Sequence, residues 1–305
     1  MNLLYGKSII SIADVSRAMI EQVLAVAAKI KQGEVADVLA KRVIASCFFE
    51  PSTRTRLSFE AAVYRLGGQV IGFADAANTS DKKGENLQDT VRMVSGYADG
   101  IILRHPASGS AQLAAEVAHV PVINAGDGGN QHPTQTLLDL FTIQEKQGRL
   151  DGLNIALVGD LKYGRTVHSL AQALKHFSPR FFLVAPQSLE MPDAVCAELH
   201  AAGVQFSCHQ NLDAVLPDLD VLYMTRLQKE RFTTSELQTV KQQFVLTPDV
   251  LSSAKETLSV LHPLPRVGEI DPCVDDLPQA HYFEQAANGV PVRQALFSLV
   301  FQQDM

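Results

Sequence analysis

Ser52-Thr53-Arg54-Thr55-Arg56 places three hydroxyls and two guanidinium groups within five consecutive residues, the side-chain types that bind oxyanions through charge-assisted hydrogen bonds. The apolar run Val43 to Phe48 before it reads as a buried parallel strand. Pro51 breaks that strand, and Ser52 or Thr53 caps the helix after it. Leu57, Phe59, Ala61, Ala62, Val63 and Leu66 give that helix its apolar surface before Gly67-Gly68 stops it. A helix start leaves backbone N–H groups unsatisfied and carries partial positive charge. Arginines there cost energy unless an anion engages them together, so the segment reads as a phosphate site. A solvated arginine pair beside ordinary capping hydroxyls is the alternative that this segment alone leaves open.

Later segments repeat the pattern of apolar strand followed by polar turn. Gly100 to Leu103 leads to Arg104-His105-Pro106, and Val120 to Ala125 leads through a Gly-rich turn to His132-Pro133-Thr134-Gln135, with Pro133 in the first turn of a helix. A lone His before Pro also suits a structural cap. Gly159-Asp160-Leu161-Lys162-Tyr163-Gly164-Arg165-Thr166 follows a strand but lacks the glycine spacing that lets a backbone approach a pyrophosphate, which excludes a dinucleotide site. Arg165 opens the next helix and is a second anion candidate, or one half of a structural ion pair. Arg226 and Gln228 alternate along an extended turn, as a carboxylate fork with an amide contact would require. In His262-Pro263-Leu264-Pro265-Arg266 the paired prolines can hold backbone carbonyls toward a ligand, with a cis Leu264-Pro265 bond among the options.

The elements that must position these residues alternate strand and helix. Asp14 is placed to cap a first helix with apolar Val15, Ile20, Val23, Leu24, Ala27 and Ile30. Strands are expected at Val70 to Phe73, Leu153 to Val158, Arg180 to Ala185, Val204 to Ser207, Val221 to Met224 and Leu258 to Leu261, and a last helix at about Glu284 to Phe301. Such alternation implies an α/β fold of two doubly wound parallel-sheet domains, with ligands outside the carboxyl ends of the strands. The chain of 305 residues, 46% hydrophobic, is long enough for two cores of about 130–150 residues each.

Net charge is −7 with signs interspersed, which gives no polycationic field for nucleic acid or a membrane surface. Cys47, Cys196, Cys208 and Cys273 match no paired metal-ligand spacing and read as reduced thiols. No apolar segment reaches the length of about 20 residues that spans a bilayer, so a cytoplasmic location is expected.

Taken in order, these segments resemble the transcarbamoylase family from end to end. Ser52-Thr53-Arg54-Thr55-Arg56 and His132-Pro133-Thr134-Gln135 are similar to motifs shared across the family. Asp160 to Ser169 and His262-Pro263-Leu264-Pro265-Arg266 are similar to its aspartate branch, whereas the ornithine branch typically carries His-Cys-Leu-Pro. The resemblance implies transfer of the carbamoyl group of carbamoyl phosphate to the amino group of L-aspartate, giving N-carbamoyl-L-aspartate and phosphate for pyrimidine synthesis. It implies no metal, no cofactor and no covalent intermediate. It implies a carbamoyl-phosphate domain at 1–134, joined by a helix at 133–148 and a C-terminal helix at 284–305 that packs back on it, and an aspartate domain at 150–284.

By the same resemblance, Ser52, Thr53, Arg54 and Thr55 hold the phosphoryl group with Arg104, and with Ser80 and Lys83 from a neighbouring subunit of a homotrimer. Thr55, Arg104 and His132 contact the carbonyl oxygen and Gln135 the carbamoyl nitrogen. Arg165, Arg226 and Gln228 take the carboxylates of aspartate, Lys83 lies near them, and Leu264 offers its backbone carbonyl. An ornithine enzyme and a non-catalytic anion sensor are the competing readings. The set Arg165, Arg226 and Gln228 argues against the sensor, which needs no carboxylate forks. Leu237 and Gly268 stand where a Tyr and an Asp are expected to stabilise a low-activity state, and neither can make a hydroxyl–carboxylate contact. Any zinc-bearing regulatory chain would be a separate polypeptide, since no Cys-rich zinc motif is present here.

Overall fold

The computed structural model describes residues 2–75, 79, 84–226 and 245–303. The chain forms two compact units, Met1–Phe141 with Ala287–Met305, and Thr142–Ala286.

In the first unit the elements run α1 (Arg17–Lys31), β1 (Val43–Phe48), α2 (Thr53–Arg65), β2 (Gln69–Phe73), α3 (Leu87–Ser95), β3 (Gly100–His105), α4 (Ser110–Val117), β4 (Val122–Asp127) and α5 (Pro133–Gln147), along which the chain passes into the second unit. The strands form a parallel sheet in the order β2-β1-β3-β4, with Phe48 opposite Arg104. Ile44 to Phe48 are all buried, as expected of a strand covered on both faces. α1 starts later than the sequence suggests. Asp14 belongs to a preceding 3-10 turn, Ile12–Asp14, and Ser16 caps the helix by accepting the Met19 N–H at 3.4 Å.

The C-terminal segment is also not one helix. Tyr282–Ala287 and Gly289–Phe301 are separate helices that meet at Asn288. Pro291 supplies the reason: in an unbroken helix its ring would meet the carbonyl four residues back, and it has no N–H to bond there. Helix Gly289–Phe301 is buried almost all round, packing on α1 and α2, with Phe297 edge-on to Phe59 at 6.2 Å.

The second unit holds β5 (Asn154–Val158), α6 (Arg165–Leu174), β6 (Arg180–Val184), α7 (Asp193–Ala201), β7 (Gln205–His209), β8 (Val221–Met224) and β9 (Ser259–Leu261). Its parallel sheet has the order β7-β6-β5-β8-β9. Ala156, Val158, Leu222, Met224 and Val260 lie in a buried cluster with Val274 and Tyr282.

Both strand orders reverse direction once, between β1 and β3 in the first sheet and between β5 and β8 in the second. At such a point the connections leave on opposite faces, which opens a crevice beyond the carboxyl ends of the two strands.

Candidate active site

The first crevice lies past Phe48 and Arg104. α2 begins there with Ser52 as its N-cap, and the Ser52 side chain makes no capping hydrogen bond, so its hydroxyl is not spent on the helix. Thr53, Arg54 and Thr55 make up the first turn, whose N–H groups have no intrahelical acceptors. The two arginines of the motif differ. Arg56 Nε is paired with Glu60 Oε1 at 2.7 Å, and that oxygen also accepts from Ser46 Oγ at 3.0 Å. The Arg54 side chain is exposed and has no partner among the described residues. Of the two, Arg54 is therefore the cation left uncommitted among the described residues.

Arg104 reaches the same strand ends from β3. Its Nη2 lies 2.7 Å from Glu50 Oε1, its Nη1 donates to Ala125 O at 3.1 Å, and its Nε is buried with no hydrogen-bond partner. Burial lowers the pKa of this guanidinium, and the Glu50 carboxylate opposes that shift. At the end of β4, Asp127 fastens the turn that leads to His132. It accepts from Gly109 N at 3.0 Å, Gln131 N at 2.9 Å, Asn130 Nδ2 at 3.0 Å and Asn124 Nδ2 at 3.1 Å. His132 is buried, and its carbonyl accepts from Gln135 N and Thr136 N as α5 begins. Gln135 Nε2 donates to Asp139 Oδ1 at 2.8 Å.

In the second unit the crevice lies past Val158 and Met224. Gly159 has φ +112°, and a Cβ there would meet Thr225 Oγ1 at 2.7 Å and Thr225 O at 2.9 Å, so only glycine allows this approach. Thr225 Oγ1 accepts from Asp160 N at 2.9 Å and donates to Val158 O at 3.0 Å, which ties the two strand ends together. The buried Asp160 accepts from Tyr163 N at 2.9 Å and shapes the turn into α6, where Arg165 is the first helical residue. Arg226 follows Thr225 directly.

The loop after β9 is fixed by its own polar groups. His262 Nδ1 accepts from Leu264 N at 2.8 Å, so Nε2 is the ring donor to Glu269 Oε1, also at 2.8 Å. Leu264 has φ +53° and the Leu264-Pro265 bond is cis. Arg266 forms a double contact with Asp275, which also accepts from the Tyr282 hydroxyl. Gly268 has φ +102° with open space where a Cβ would stand.

Thus Ser52, Thr53, Arg54, Thr55, Arg104, His132 and Gln135 lie in the first unit, and Arg165, Arg226 and Leu264 in the second. Ser80, Lys83, Gln228 and Leu237 lie outside the described residues. Sequence reasoning missed Asp139 and Glu60, each one helical turn from a motif residue, and the buried Arg293 of the C-terminal helix. The helical spacing of the first two, and a lone charge in an apolar helix for the third, were the available signals.

Two doubly wound units, with hydroxyls and arginines at the helix start past one sheet and arginines past the other, place these residues at the switch points where α/β proteins of this class hold ligands. Two family models match the chain, the aspartate/ornithine carbamoyltransferase carbamoyl-P binding domain over residues 7–145 and the Asp/Orn binding domain over residues 151–300. The chain belongs to the aspartate/ornithine carbamoyltransferase family. It is 58% identical over 300 residues to an aspartate carbamoyltransferase catalytic subunit from Chromobacterium violaceum, covering 98% of this chain and 99% of that one. Among solved structures it is similar to the catalytic subunit of M. jannaschii aspartate transcarbamoylase, with TM-score 0.90, 48% identity and coverage of 96% and 97%. It is also similar to Trypanosoma cruzi aspartate transcarbamoylase in complex with carbamoyl phosphate and aspartate, with TM-score 0.92, 41% identity and coverage of 98% and 97%.

Proposed function

We propose that this chain transfers the carbamoyl group of carbamoyl phosphate to the amino group of L-aspartate, yielding N-carbamoyl-L-aspartate and phosphate. The observation that carries this reading is full-length identity of 58% to a protein named for this activity. In this reading Ser52, Thr53, Arg54 and Thr55 bind the phosphoryl group at the start of α2, together with Arg104. Thr55, Arg104 and His132 stabilise the oxyanion formed when the amine attacks the carbonyl, and Gln135 binds the carbamoyl nitrogen. Arg165, Arg226 and Gln228 bind the aspartate carboxylates, and Leu264 contributes its carbonyl. Positioning and charge stabilisation supply the rate. Loss of one preorganised oxyanion donor typically costs about 2.7–4 kcal/mol.

The same reading makes the enzyme a cytoplasmic homotrimer of pyrimidine synthesis, with Ser80 and Lys83 completing a neighbour's site. Support for association comes from exposed apolar side chains of the first unit. Leu57 and Tyr64, seven residues apart on α2, are 58% and 60% exposed, and Ile71 on β2 is 42% exposed. Support for a reducing compartment comes from the four cysteines, all free, and no helix among the described residues is long and apolar enough to cross a membrane. Phosphate release from carbamoyl phosphate tests the activity. It should depend on L-aspartate and not on L-ornithine. Turnover only with ornithine, or with neither amine above the rate without protein, overturns the reading.

A further inference from the structure

Gln135 and Asp139 stand one turn apart on α5, and Gln135 Nε2 donates to Asp139 Oδ1 at 2.8 Å. An ionised carboxylate only accepts hydrogen bonds, so it can engage only the NH₂ end of the amide. Gln135 is half-buried, and its Oε1 is the end left to accept from a ligand. We propose that Asp139 orients the Gln135 amide so that Oε1 selects an acyl phosphate carrying an N–H donor, a carbamoyl rather than an acetyl group.

Asp139 is fully buried, and burial alone favours the protonated acid. A protonated Asp139 could donate to Oε1, and the Gln135 amide would turn over. The positive charge of Arg293 favours the ionised form instead, through the same interaction by which Asp139 raises the Arg293 pKa. Arg293 is 2% exposed and is the one charged residue of its helix, and Asp139 is the carboxylate whose charge acts on it. Burial brings its pKa down to about 9, with Asp139 opposing the shift, which leaves the guanidinium charged at neutral pH. The guanidinium is fixed from several sides. It stacks over the Phe59 ring at 4.5 Å, and Nη2 donates to Thr134 Oγ1 at 3.3 Å. A Cβ at position 289 would fall 2.3 Å from Nη1, so Gly289 provides the room.

The inference rests on the reading of Gln135 as a carbamoyl ligand, and the test separates the two. Dissociation constants for carbamoyl phosphate, acetyl phosphate and inorganic phosphate are measured by calorimetry on the full chain, without acceptor amine. The parent should prefer carbamoyl over acetyl phosphate. In Asp139→Asn an amide that can donate as well as accept replaces the acceptor-only carboxylate, so the Gln135 amide is no longer held in one orientation. The preference should then narrow at least tenfold while inorganic phosphate binds within threefold of the parent. Arg293→Met should act in the same direction and serves if Asp139→Asn does not melt cooperatively. Gln135→Ala sets the limit of the effect. If Gln135→Ala keeps the full preference, the reading of Gln135 fails. If Gln135→Ala loses the preference and the folded Asp139 or Arg293 variant keeps it, the proposal alone is overturned. Equal weakening of all three ligands in that variant also overturns it, because it marks a merely structural role.

Discussion

Arg104 is held by Glu50 at 2.7 Å from Nη2, a contact that aims a cation across the carboxyl ends of β3 and β1 while leaving its buried Nε without a hydrogen-bond partner. Removing the cation leaves Glu50 facing the ligand's charge. Arg104→Ala should therefore weaken inorganic phosphate and carbamoyl phosphate by about 2–5 kcal/mol, the range for truncating one partner of a buried charged pair. Arg104→Lys should rescue little, since an ammonium cannot bond Glu50, Ala125 and a ligand in a fork. Calorimetric titration checks both, and full rescue by lysine would show that only charge matters.

The placement of arginines at two switch points predicts a division of labour. Arg54→Ala should weaken carbamoyl phosphate more than succinate, an unreactive dicarboxylate substitute for aspartate, and Arg226→Ala should do the reverse. Separate titrations of each ligand, with the other at saturation, read this out. Equal losses in both variants would contradict the assignment.

Gly159→Ala should destabilise the second unit, because φ +112° and the overlap with Thr225 act together. The expected cost is about 1–3 kcal/mol, read as a lower thermal midpoint. The affinity for succinate should also fall, since the displaced Thr225 carries Arg226 with it. An unchanged midpoint would mean that the two strand ends separate easily.

Acid should destabilise the same unit in a defined window. Two hydrogen bonds from Arg266, aided by Tyr282, hold Asp275 below its ordinary 3.8. Burial would raise Glu269, but the His262 contact and the Val267 N–H outweigh it and hold Glu269 below 4.5. Both folded values are depressed, so the stability they contribute is complete above the unfolded values and is lost as pH falls through the folded ones. These two carboxylates should add no slope to the thermal midpoint between about pH 7 and 5, and their contribution should decline below about pH 4.3. Asp275→Asn should lower the midpoint at neutral pH and flatten that decline. A decline as steep as the parent's would show that Asp275 is not linked to folding.

Much of the site was legible because its chemistry is local. Ser52 to Arg56 combine hydroxyls and cations at a helix start, and the alternation of strand and helix announces parallel sheets. Strand order was not legible, since alternation does not say that β1 neighbours β3 or that β5 neighbours β8. That order alone puts Arg104 beside the start of α2. Arg54 and Arg56 look equivalent in the motif, and they separate only when Glu60 is seen to engage Arg56. The Asp139–Arg293 relationship escaped because its partners are brought together by packing of the C-terminal helix on the first unit. The break at Asn288, by contrast, could have been read from Pro291.

The most direct measurement of the central claim is a competition in one tube. Carbamoyl phosphate labelled with carbon-13 is mixed with the protein and equal concentrations of L-aspartate and L-ornithine, and the carbamoyl carbon is followed by NMR. The label should pass into N-carbamoyl-L-aspartate in step with phosphate release, with none on ornithine. Label accumulating on ornithine, or appearing on neither amine above the rate without protein, would contradict the account.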